Sequence, residues 1–157
     1  MRTDPRCSRL SALSAEYQER FAALTERYLQ EEMQACGIDG RLCLGDFTLL
    51  NAVAEQKGKA IMADMAKQLG INPSTATRQV NRLASYALVC KAPVPRDERC
   101  YEIRLTELGQ KLRNNMEDRL YQAVQKSYEK VTDEEIQTVY TFMDKCIAGI
   151  VSLEKSQ

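Results

Sequence analysis

The chain of 157 residues contains no histidine. Without imidazole it cannot build a Cys/His zinc site or a histidine-based catalytic triad. Its six cysteines, at positions 7, 36, 43, 90, 100 and 146, include no CxxC pair. They read as reduced thiols rather than a disulfide framework. A Gly-rich phosphate loop is missing as well, so no catalytic residue, metal or cofactor is assigned. No apolar run approaches the roughly 20 residues of a membrane-spanning helix. The basic stretch from Met1 to Ser14 lacks the apolar core of a signal peptide, and a cytoplasmic chain with no membrane partner is expected. Internal repeats and low-complexity linkers are also lacking.

Net charge is absent too, with 22 basic residues against 22 acidic ones. Its distribution is uneven. Between Lys57 and Arg104 there are nine Lys/Arg and four Asp/Glu, a local balance of about +5 that the rest of the chain must offset. A basic module inside an acidic chain suits localised contact with phosphates.

Apolar residues Leu13, Tyr17, Phe21, Leu24 and Tyr28 step by three or four, which predicts a helix from about Ser14 to Cys36 with Gly37 as its cap. Phe47, Leu50 and Val53 suggest a second helix ending near Gly58. Met62 to Leu69 forms a short helix closed by Gly70. Asn72 is a favourable N-cap and Pro73 suits the first helical position, where its missing N–H costs nothing. In the helix that follows, Ala76, Val80, Leu83 and Ala87 are expected to be buried. That phasing turns Ser74, Arg78, Asn81, Arg82 and Ser85 outward, flanked by Thr75 and Thr77.

Leu88 to Ala92 and Cys100 to Leu105 read as strands around a polar loop from Pro93 to Arg99. A helix opens at Thr106 and runs to about Lys130. Thr132 and Glu135 have capping-box spacing before a last helix bearing Ile136, Val139, Tyr140, Met143, Ile147 and Ile150. Short strand, helix, turn, helix and two strands are the parts of a winged helix-turn-helix. The fold class expected is mainly α with a small β-wing, flanked by long terminal helices. The apolar faces of those helices need a partner, which a two-fold homodimer supplies while presenting two heads to an inverted-repeat duplex.

The chemistry of the central segment agrees with that partner. Ser74, Thr75 and Thr77 stand near a helix N-terminus, where hydroxyls and the helix dipole hold phosphates. Arg78 could pair bidentately with a guanine edge, while Asn81 and Arg82 extend the same face. On the loop, Asp97 can brace Arg99 so that its guanidinium enters a minor groove, with Arg96 beside it.

These residues carry a resemblance to the MarR family of winged-helix transcription regulators. It rests on Ala66 with Leu69-Gly70, Ser74-Thr-Ala-Thr-Arg78, Leu83, Leu88-Val89, Asp97-x-Arg99, and Leu105-Thr106 followed by Gly109. It implies one domain over residues 1–157, with dimerisation helices at 10–37 and 106–152 and a DNA-binding region at 45–105. It further implies a homodimeric repressor of double-stranded DNA, with 72–86 as recognition helix and Arg99 as wing arginine, released by a small molecule or by oxidation. The chain departs from the family pattern at Ala87, where Gly is usual before Leu-Val, at Glu98, where a basic residue is common, and at Cys90.

Two candidate sensors follow. Cys7 sits between Arg6 and Arg9, which favour its thiolate, and Cys36 and Cys43 bracket a turn. An aromatic ligand would instead occupy a pocket lined by Tyr17, Phe21, Tyr28, Phe47 and Met62. The alternative to a DNA regulator is a winged-helix module that binds protein and not DNA.

Overall fold

A computed structural model describes residues 5–56, 60–94 and 97–154, and their side chains except those at 5–7, 63, 93–94, 97–100 and 154. Its elements run α1 (Pro5–Ala35), α2 (Leu44–Glu55), β1 (Ala60–Ile61), α3 (Met62–Gln68), α4 (Pro73–Ser85), β2 (Val89–Val94), β3 (Asp97–Leu105), α5 (Glu107–Ser127) and α6 (Asp133–Glu154). The chain divides into two compact units, Met1–Leu120 and Tyr121–Gln157. No helix of the described residues is long and apolar enough to cross a membrane.

The first unit contains the winged helix. Gly37, at φ +71, takes the left-handed conformation that ends α1. Gly37 N–H then donates to Gln34 at 3.0 Å and Ile38 N–H to Met33 at 2.9 Å, with Met33 and Ile38 both buried. This is the paired bonding of a Schellman cap with its apolar clasp. Gly70, at φ +61, ends α3 in the same way, with Ile71 N–H donating to Ala66 at 3.0 Å.

A third cap closes α4, but with alanine. Ala87 has φ +54, and Leu88 N–H donates to Leu83 at 2.9 Å. An L-residue pays roughly 1–2 kcal/mol for that conformation. Ala87 is therefore exposed in the cap, and does not extend the buried stripe as the helical spacing suggested. Ala76, Val80 and Leu83 do form that stripe, all fully buried.

The sheet is antiparallel in the order β1-β3-β2, with Ala60 opposite Ile103 and Val89 opposite Leu105. Strand β3 begins at Asp97, so Asp97 to Arg99 belong to its backbone rather than to a loop. Pro93 likewise lies in β2, next to an irregularity between Pro93 and Val94. Proline lacks an N–H for the ladder and is accommodated at such irregularities. Cys90 faces Arg104, so Cys100 is offset from it along the sheet.

Leu29, Met33, Leu49, Leu50, Met65, Leu83, Leu88, Ile103, Leu112 and Met116 are fully buried and form one core. A charged cluster runs between α1 and α5 beside it. Arg119 donates to Glu32 at 3.0 Å and to Glu31, and its guanidinium lies 4.1 Å over the Tyr28 ring. Helix α1 extends to Pro5, well before Ser14; Leu10 and Leu13 on that extension are exposed.

In the second unit, Thr132 and Glu135 make the capping box that opens α6. Glu135 accepts from Thr132 N–H at 2.8 Å, and Thr132 Oγ1 accepts from Glu135 N–H at 3.2 Å. Along α6, Val139, Met143, Ile147 and Ile150 are about half exposed, and Tyr140 lies beside them.

Candidate nucleic-acid interface

Helix α4 is shaped by its own first residues. Asn72 has an extended backbone, and its side chain accepts from Ser74 N–H and Ser74 Oγ, both at 2.9 Å. Thr77 Oγ1 donates back to the Pro73 carbonyl at 2.9 Å. The first turn is thereby fixed, and Thr75 and Ala76 N–H both donate to the Asn72 carbonyl, at 2.9 and 3.0 Å.

From that turn an exposed stripe runs through Ser74, Arg78, Asn81 and Ser85. Arg78 is exposed and approaches Thr75 Oγ1 at 3.5 Å. Asn81 accepts a hydrogen bond from Lys91 Nζ, which ties α4 to β2. The wing carries Asp97 and Arg99 on the first residues of β3. Their side chains, and Arg96 as a whole, lie outside the described residues. On β3 the Arg104 guanidinium donates to Glu102 at 2.8 Å, so part of the basic charge in this segment is already paired.

Arg82 is placed differently from Arg78. Its Nη1 lies 3.1 Å from Asp46 Oδ2, and the Asp46 side chain is fully buried at the start of α2. The same oxygen accepts from Cys43 N–H at 2.9 Å and from the Cys43 thiol at 3.2 Å. Sequence reasoning did not single out Asp46. Cys43-x-x-Asp46 has the spacing of a helix-opening box, and that was the available signal.

Two further features bear on a trigger. Tyr17, Phe21 and Phe47 line an apolar groove of about 480 Å³ with Thr25, Asn51 and Leu120. Tyr17 and Phe21 stack with centroids 6.0 Å apart. Asn51 Oδ1 is buried and has no hydrogen-bond partner among the described residues. Tyr28 and Met62 are not part of that lining; both pack against the hydrophobic core. Cys36 and Cys43 are free, half-buried thiols, and Cys90 and Cys146 are exposed. The Cys7 side chain lies outside the described residues.

A helix capped into place, a helix packed across it and a three-stranded wing define a winged helix-turn-helix. The fold is, more particularly, that of the MarR family of transcription regulators. One solved MarR family transcription regulator superposes with a TM-score of 0.80 over 97% of this chain and 95% of its own, at 13% identity. The PcaV transcriptional regulator from Streptomyces coelicolor gives 0.69 over 96% and 98%, at 21% identity. A mutant MarR from E. coli complexed with operator DNA gives 0.65 over 92% and 99%, at 20% identity. At these identities what is shared is the fold. No family sequence profile matches the chain, and no curated protein does.

Proposed function

We propose that the chain is a DNA-binding transcription regulator that acts as a homodimer on an inverted-repeat operator. The observation that carries this reading is the exposed Ser74, Arg78 and Asn81 stripe on a capped helix at the head of a MarR-type fold. Ser74, Thr75 and Thr77 at the helix start position the phosphate backbone, and Arg78 and Asn81 read base edges. On the wing this reading assigns Arg99 to the minor groove, with Arg96 and Asp97 as further contacts of the same segment. A fold relative solved with operator DNA supports the assignment.

The homodimer is supported by the exposed apolar residues of α6 and of the start of α1, including Leu10, Leu13, Met143 and Ile147. Such faces are covered in isologous pairs. Repression is relieved by an effector in the groove of Tyr17, Phe21 and Phe47, whose apolar walls suit an aromatic ligand. Thiol oxidation at Cys36 or Cys43 is the second route to release.

The reading is tested with purified protein and the DNA upstream of its own gene. Binding is expected to prefer that DNA over random duplex of equal length and to weaken steeply with salt. Equal binding to both duplexes, or none to either, would refute it.

A further inference from the structure

We propose that Asp46 is a positioning residue for the recognition helix and that Arg82 acts through it, not by gripping a phosphate. The proposal rests on the DNA-binding reading above. A carboxylate taken wholly out of water is costly unless cations and donors surround it. Asp46 Oδ2 has three such partners: the Cys43 N–H, the Cys43 thiol and the Arg82 guanidinium. Two come from the start of α2 and the third from α4, so the carboxylate joins the two helices. Its other oxygen has no partner among the described residues, which leaves Arg82 as the cation compensating the buried charge.

Arg82 does not work alone. Gln79 and Tyr86 share its stripe of α4, at three- and four-residue spacing, and both rest on the segment before and into α2. A Cβ on Gly45 would sit 2.7 Å from Gln79 Nε2, and one on Gly40 would sit 2.3 Å from the Tyr86 hydroxyl. That hydroxyl accepts from Arg41 N–H at 3.3 Å. The missing side chains let the α4 stripe lie flat. Arg78, Asn81 and Ser85 are each one residue from this stripe, about 100° around the helix. A roll of α4 that carried Arg82 outward would leave the buried Asp46 charge without its cation. The pair therefore sets the roll of α4, and with it the aim of Arg78 and Asn81.

The test compares wild type, Asp46→Asn, Arg82→Met and the double variant on a duplex selected from a random pool, over a series of salt concentrations. Each single change is expected to weaken binding by about tenfold, and the double change no more than either, as for two residues acting as one unit. The slope of log affinity against log salt is expected to stay at the wild-type value, because a lost phosphate contact would lower it by about 0.9. Additive losses, or a lowered slope in Arg82→Met with wild-type binding by Asp46→Asn, would overturn the proposal. If Asp46→Asn fails to fold, the salt slope of Arg82→Met decides alone. A wild type without duplex preference would instead remove the DNA-binding reading beneath it. Non-additive denaturation midpoints in the same four proteins would then still report the Asp46–Arg82 tie.

Discussion

Gly109 lies against the Leu88 backbone so closely that a Cβ there would be 2.0 Å from the Leu88 carbonyl oxygen. That carbonyl accepts from Thr106 N–H at 3.1 Å and from Thr106 Oγ1 at 3.2 Å, and the hydroxyl in turn accepts from Gly109 N–H at 3.0 Å. One short segment thus caps α5 and fastens it to the exit of α4. The obstacle is backbone, which cannot swing aside. Gly109→Ala is expected to destabilise the protein by about 3 kcal/mol or more. Chemical denaturation measures this, and an unchanged midpoint would show that the close approach does not exist.

Ala87 offers the opposite case. Its φ of +54 suits glycine, and Gly37 and Gly70 fill the equivalent place in the other two caps. Ala87→Gly is expected to stabilise the fold by about 1 kcal/mol, the relief of left-handed strain less the added freedom of the unfolded chain. Thermal unfolding should shift upward by roughly 2–4 °C. A downward shift would mean that the strain is already relaxed elsewhere.

The start of α6 should respond to acid. Hydrogen bonds from the Thr132 backbone and hydroxyl hold the Glu135 carboxyl below its ordinary value of 4.5. A lowered folded-state pKa contributes stability above the unfolded value, and that contribution is lost as pH falls through the folded value. Helicity of α6 is therefore expected to decline below about pH 4.5, and Glu135→Gln should remove this acid-dependent part. Circular dichroism across the range checks it, and identical acid profiles for the two proteins would count against the capping box.

Ile147 is about half exposed on the apolar side of α6, as are Met143 and Ile150. If a second copy covers that side, Ile147→Glu places a charge in the interface and should shift the protein from dimer to monomer. Sedimentation reads the mass directly. A wild type sedimenting as a single chain would contradict the dimer.

The parts legible in the sequence are those fixed by neighbouring residues. Asn72 and Pro73 announce the start of α4, and Thr132 with Glu135 that of α6, because capping is local chemistry. The buried stripe of Ala76, Val80 and Leu83 followed from helical spacing. Asp46 was missed because its role depends on Arg82, far along the chain, arriving beside it. Asp97 to Arg99 resembled a loop because charge and nearby proline mask strand alternation, while the ladder with β2 is a non-local pairing. The first turns of α1 are not legible because Pro5 to Arg9 include no large apolar residue that would extend the helical spacing.

The most direct test of the account is the response of Arg78→Ala to single base-pair changes in the selected duplex. If α4 reads DNA with Arg78 at a base edge, this variant should lose about 1–3 kcal/mol on the preferred sequence. It should also discriminate less at one position per half-site, while unfolding at the wild-type temperature. Wild-type affinity and wild-type discrimination in the Arg78→Ala protein would contradict the central claim.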